Sequence, residues 1–186
     1  MITEQAFQEA AKRLGCEVAA VKAVDSVESL GDGMLPDGKP KILFEPHVFW
    51  RELKDVGIKP VVSDICYPNW GTRPYGKVSA QHGRLERAAA IHREAALMSA
   101  SWGRFQIMGF NWNKCGVSSL QEFINMNYKG EEAQLELFVN YIIKVGLDDE
   151  LRDRRWAAFA LQYNGKSYAQ NKYDVKLAAA YKKFSK

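Results

Sequence analysis

The 186-residue chain is short of the features that define several large protein classes. Its three cysteines, Cys16, Cys66 and Cys115, stand far apart and form no Cys-x-x-Cys pair. An odd, scattered set argues against a disulfide framework and suits synthesis in a reducing cytoplasm. The three histidines, His47, His82 and His92, are as dispersed, and no His-Glu-x-x-His motif occurs. No metal site and no cofactor are therefore expected. No apolar run nears the roughly 20 residues that cross a bilayer. Residues 1–7 carry acid early and read as no secretory leader. Basic residues alternate with acidic ones instead of forming a stripe, so no nucleic-acid partner is expected. Internal repeats, low-complexity tracts and linkers are missing too. The chain reads as one domain over residues 1–186, and as a monomer.

What is present is ordinary in proportion, with 47% hydrophobic and 26% charged residues, but rich in rings. Five Trp, eight Tyr and nine Phe supply a core and spare aromatics to line a sugar-binding cleft. A net charge of +4 suits an anionic partner without naming one. Apolar spacing predicts a first helix from Thr3 to Leu14, closed by Gly15, and a second from Glu17 to Ser29. A Gly/Pro loop over 30–40 follows, then an extended piece over 41–47 and a short helix over 48–56. Residues 59–83 form a long loop with Tyr67, Trp70 and Tyr75, a length that is often functional. Further helices are expected over 84–99, 118–126, 131–145, 148–163 and 173–184. The fold class is mainly α, with a small β-hairpin or extended insertion after the second helix.

Glu28 is the residue this pattern singles out. Val21, Val24 and Val27 continue an apolar helix face, and Glu28 arrives where that helix must stop. A carboxyl group held there and partly desolvated has a raised pKa and stays protonated near neutral pH. A protonated carboxylic acid beside a polar loop is what general-acid cleavage of a glycosidic bond requires. Asp25, one turn earlier, precedes that acid instead of facing it and reads as structural. Asp32 and Asp37 lie in the loop that can fold back over the helix end, although Asp37-Gly38 is equally a hairpin-turn pair. Glu45, flanked by Phe44 and Pro46, needs a partner if buried.

Three segments join a helix end to a turn: Val27-Glu28-Ser29, residues 102–109 (Trp-Gly-Arg-Phe-Gln-Ile-Met-Gly), and Tyr163-Asn164-Gly165. In that order they resemble the Glu-Ser, Gly-x-x-Gln-Ile and Tyr-Asn-Gly segments of the lysozyme-like superfamily. With residues 42–49 and 99–111 added, the chain resembles the phage and prophage N-acetylmuramidase family over nearly its whole length. The resemblance implies a lysozyme-like helical domain and an endolysin cutting peptidoglycan between N-acetylmuramic acid and N-acetylglucosamine. Family members often carry a separate wall-binding module, for which this chain has no room. A leaderless endolysin implies holin-assisted passage from the host cytoplasm to the periplasmic wall.

On that resemblance Glu28 is the general acid. Asp37 follows it by nine residues, a spacing similar to the acid-to-aspartate step of phage lysozymes. Asp37 and Glu45 are the candidate second carboxylates. A retaining enzyme holds such a pair roughly 5–5.5 Å apart and an inverting one roughly 6.5–9.5 Å. Gln106 and Asn164 are expected to bind sugar through their amides, with turn capping as the alternative, and Tyr163 to cover a pyranose face. Trp102 reads as a core anchor. A lytic transglycosylase forming 1,6-anhydro ends, and a non-catalytic wall-binding protein, remain as alternative functions.

Overall fold

The structure is a computed structural model and describes residues 1–29 and 31–186. Leu30, where the expected Gly/Pro loop begins, lies outside the described residues. Thr3 opens α1 (Glu4–Leu14) by accepting the Ala6 N–H at 3.3 Å, and Gly15 closes it at φ 64. Helix α2 (Val18–Glu28) follows with Val21 and Val24 fully buried. It packs along the terminal helix α9 (Tyr173–Phe184), which in turn packs on α8 (Trp156–Asn164). The remaining helices are α3 (Pro46–Asp55), α4 (Gln81–Met98), α5 (Leu120–Lys129), α6 (Glu131–Val145) and α7 (Asp148–Arg152).

The extended part begins with the small hairpin expected after α2, in which the Lys41 N–H donates to Gly33 O at 2.8 Å and the Leu35 N–H to Lys39 O at 2.7 Å. Within residues 31–41 only Met34 and Pro40 bridge. The sheet proper is three-stranded and antiparallel, in the order β1 (Ile42–Phe44), β2 (Ala100–Trp102), β3 (Ile107–Met108). Leu43 faces Ser101, which faces Met108. Strands of two and three residues carry no readable periodicity, and pairing with β1 makes them strands. Two helices are also interrupted. His92 sits at φ −157 and ψ 106 inside α4, its Nδ1 accepting the Ala95 N–H at 3.2 Å. The helix expected over 148–163 breaks into α7 and α8 at Arg154, with φ 58.

The alternation of β1 sorts its residues between two environments. Ile42 and Phe44 are buried, whereas Lys41, Leu43 and Glu45 are half-buried on the opposite face. The buried face joins a core of Phe49, Phe105, Phe123, Phe138 and Phe159, each worth about 1.5–3 kcal/mol on burial. Trp102 is the anchor expected of it, 2% exposed with its indole N–H donating to Leu97 O at 3.0 Å.

A charged knot ties α2, the 31–41 segment, the β2–β3 turn and α6 together. Arg104 pairs through Nη2 with Asp25 Oδ2 at 2.8 Å and through Nη1 with Glu131 Oε1 at 2.7 Å. Glu131 also accepts the Gly33 N–H at 2.7 Å and meets the amino terminus at 2.9 Å. Burial alone would push the Glu131 pKa up, but these donors outweigh it and hold it at about 2. The approach is close enough that a Cβ on Gly33 would stand 2.3 Å from Gln134 Oε1 and 2.6 Å from Arg104 Cβ. Asp25 is thus structural, as read from its position.

Candidate active site

Glu28 is the last residue of α2, half-buried, with Ser29 buried behind it. Burial pushes its pKa up to about 7. Two neighbours oppose that rise: Asn164, whose Nδ2 donates to Glu28 Oε1 at 2.9 Å, and the Lys176 ammonium on α9. Half of the group is therefore still protonated near neutral pH, the condition a general acid needs.

Asn164 ends α8, and Gly165 releases the chain from that helix at φ 81. Its Nδ2 is used by Glu28, and its Oδ1 is buried with no partner among the described residues. Its structural contact is therefore with the acid. Tyr163, one residue earlier, donates its hydroxyl to Phe105 O at 2.7 Å and stacks on Phe159 with ring centroids 5.3 Å apart. Phe138 and Tyr141 meet it edge-on. The ring is thus packed among aromatics and locks α8 to the β2–β3 turn.

Gln106 occupies that turn at φ 50, a left-handed conformation that needs support in a residue other than glycine. Its amide provides it. Nε2 donates to Gly103 O at 2.8 Å, while Oε1 accepts the Ser101 hydroxyl at 2.7 Å. Turn support, the alternative reading of this residue, is what its bonds describe.

The half-exposed face of β1 runs away from Glu28. At its near end Lys41 Nζ reaches Ser29 O at 3.5 Å. Leu43 follows, beside Ser101 and Met108 on the same face. At the far end Glu45 accepts the Tyr75 hydroxyl at 2.5 Å and stands 3.4 Å from His47 Nδ1. Burial raises the Glu45 pKa, against the Tyr75 bond and the Arg84 charge. Lys41 and Glu45 are four residues apart, about 13 Å in an extended chain.

Asp37 sits at the exposed tip of the 31–41 segment. Its Oδ1 accepts the Lys39 N–H at 3.2 Å and its Oδ2 lies 3.6 Å from Lys39 Nζ. Among the described residues, neither Asp37 nor Glu45 is one of the groups that shift Glu28. The structure therefore joins Glu28 to Asn164, and through the β2–β3 turn to Tyr163 and Gln106. It places Asp37 and Glu45 in other surroundings. Lys176 was not readable as a site residue, because its helix approaches Glu28 only in the folded chain. Arg104 lay within a singled-out segment, and its charge beside Gly103 was the available clue.

No group of three or more His, Cys, Asp or Glu side chains among the described residues is arranged to hold a metal ion. No helix of the described residues is long and apolar enough to cross a membrane.

No curated protein matches the chain. The crystal structure of the Burkholderia AP3 phage endolysin is similar over 99% of this chain and 70% of that one, with 40% identity and a TM-score of 0.89. The family model described as N-acetylmuramidase matches residues 17–185, from the start of α2 almost to the carboxyl terminus, and by these matches the chain belongs to the N-acetylmuramidase family.

Proposed function

We propose that the protein is an endolysin-type peptidoglycan hydrolase that cuts the glycan strand between N-acetylmuramic acid and N-acetylglucosamine, with Glu28 as the general acid. The observation that carries this reading is the Glu28–Asn164 pair: a half-buried carboxyl group with its pKa near 7, beside the near end of the half-buried β1 face. The glycan lies along that face. Glu28 gives its proton to the glycosidic oxygen as the bond to the anomeric carbon breaks, leaving an oxocarbenium-like centre. The Glu28 carboxylate then takes a proton from the attacking water, and the acid is restored for the next turnover.

Glu28 is the essential carboxylate in this scheme. Asp37 keeps the hairpin tip in shape through Lys39, and Glu45 holds Tyr75 and the arm that follows β1. Tyr163 and Gln106 set the turn, and Asn164 orients the acid. Among the described residues no carboxylate is one of the groups that shift Glu28, which favours one second reading. In a lytic transglycosylase the sugar's own C6 hydroxyl replaces water and no second carboxylate is needed.

Digestion of purified peptidoglycan with mass-spectrometric reading of the fragment ends tests both. Reducing N-acetylmuramic acid ends support the hydrolase, and 1,6-anhydro ends support the transglycosylase. Cleavage on the other side of the disaccharide would overturn the bond assignment, and intact glycan after prolonged digestion would overturn both. Passage to the wall through a holin belongs to the same proposal and is tested by lysis with and without a co-expressed holin.

A further inference from the structure

The contacts around Glu28 form a circuit that leaves α2 and returns to it within one turn. It leaves at Asp25, one turn before Glu28 on the same helix. Arg104 of the β2–β3 turn grips both Asp25 oxygens, with Nε on Oδ1 and with Nη2 on Oδ2 at 2.8 Å. Phe105, next in the chain, accepts the Tyr163 hydroxyl at 2.7 Å and carries the circuit to α8. Asn164 follows Tyr163, and its Nδ2 closes the circuit on Glu28 Oε1 at 2.9 Å. Arg104 is also fastened from behind. Its N–H donates to Gln134 Oε1 at 2.8 Å and its Nη1 to Glu131 Oε1 at 2.7 Å, both on α6. Asp25 and Glu131 are buried, and the turn is packed so tightly that a Cβ on Gly103 would stand 2.5 Å from Asn127 Oδ1.

The form of the ion pair is informative. A planar guanidinium forked onto one carboxylate and bonded to a second fixes direction as well as distance, which a lysine ammonium does not. The bonds of Arg104 go to Asp25, Glu131 and Gln134, so its route to Glu28 is the one through Phe105, Tyr163 and Asn164. We propose that Arg104 is a positioning residue for the acid: by fixing Phe105 against α2 it sets where Tyr163 holds the end of α8, and so how closely the Asn164 amide meets Glu28. The inference rests on the reading of Glu28 as the general acid, and it gives the Arg104–Asp25 pair a part in the reaction beyond holding the fold. Rate is sensitive to such placement, because a catalytic group displaced by about 1 Å can lose far more than one bond is worth.

The test combines pH–rate profiles on purified peptidoglycan with an NMR titration of the Glu28 carboxyl group in the resting protein. Arg104→Lys keeps the charge and loses the fork. It is expected to lower the maximal rate about three- to tenfold and to move the falling limb and the Glu28 titration to higher pH, as the amide withdraws. Tyr163→Phe should act in the same direction. It keeps the ring and its packing, and it carries the test alone if Arg104→Lys does not fold. In an Asn164→Ala background neither substitution should move the titration further, because no amide is left to position. Lys176 and Tyr173, which act on Glu28 from α9, are the same in every variant. A lowered melting temperature with an unmoved titration would make the pair purely structural and overturn the proposal. So would a shift of equal size with and without Asn164, or a shift in Arg104→Lys that is absent from Tyr163→Phe. Glycan cutting that survives Glu28→Gln would remove the acid assignment instead, and the titration would still decide whether Arg104 governs that carboxyl group.

Discussion

Asn164 donates its side-chain amide to Glu28 at 2.9 Å across a sequence separation of 136, joining the end of α8 to the end of α2. The bond favours the charged carboxylate, while burial favours the neutral acid by more. The balance leaves the proton available near neutral pH. Several expectations can be measured against it.

Glu28→Gln is expected to abolish wall lysis, with a loss of at least about 10²–10⁴ in rate, because the amide has no proton to give. The same variant should be more stable than wild type in alkali. The folded pKa near 7 lies above the ordinary 4.5, so the native state is penalised as pH rises from about 4.5 to about 7 and stays penalised above. Thermal melts should show the variant gaining roughly 1–3 kcal/mol at pH 8 and nothing at pH 4. A melt difference independent of pH would contradict the raised pKa.

Wild-type activity should itself fall as pH rises through about 7, where the acid loses its proton. Asn164→Ala removes a bond that holds that pKa down, so the falling limb should move to higher pH. Its maximal rate should drop about two- to tenfold, the worth of one hydrogen bond. In a Glu28→Gln background, chitooligosaccharide binding should be unchanged by the alanine. Weakened binding with an unmoved pH profile would return Asn164 to the sugar.

Asp37→Asn and Glu45→Gln should separate from each other. Asp37 bonds only within its own turn, so its amide should keep activity within a few-fold of wild type and melt normally. Glu45→Gln weakens the hold on Tyr75 and should lower the melting temperature more than it lowers the rate per folded molecule. A hundredfold loss of kcat in Asp37→Asn would instead make it the second carboxylate.

Acid denaturation should report on Glu131. Its folded pKa, near 2, lies below the ordinary 4.5, so its contribution is complete above about pH 4.5 and is lost as pH falls toward 2. Glu131→Gln should flatten the stability curve across that window while lowering stability at pH 7. A curve with the same slope in both proteins would remove Glu131 as a source of acid sensitivity.

Helix by helix, the fold was legible wherever apolar spacing ran for ten residues or more. The ends of α1 and α2 were announced by Thr3, Gly15 and the Gly/Pro loop. Strands β2 and β3 were not legible, since a conformation imposed by pairing leaves no period in five residues. The break at Arg154 escaped because nothing in a run of charged residues announces a left-handed arginine. At the site, Glu28 could be found from its place at the end of an apolar face. Asn164 and Gln106 stand at a helix end and a turn, as their segments suggested, but whom they bond is a matter of tertiary geometry. An amide that could serve a sugar hydroxyl equally serves a carboxylate or a carbonyl. The knot of Asp25, Arg104 and Glu131 likewise joins three positions whose nearness no local pattern encodes.

The acid's surroundings come from opposite ends of the polypeptide, α2 on one side and α8 with α9 on the other. Helices α8 and α9 bury only Phe159, Ala160 and Leu177, and elements with few buried side chains open locally at a smaller free-energy cost than a core. A molecule whose α9 has lifted away keeps most of its structure, yet water floods the carboxyl group and its proton affinity returns to that of a free side chain. Such a molecule is folded and chemically silent. Catalytic rate is therefore a gauge of how tightly the carboxyl-terminal helices are closed, and on heating it should fade before any spectroscopic sign of melting.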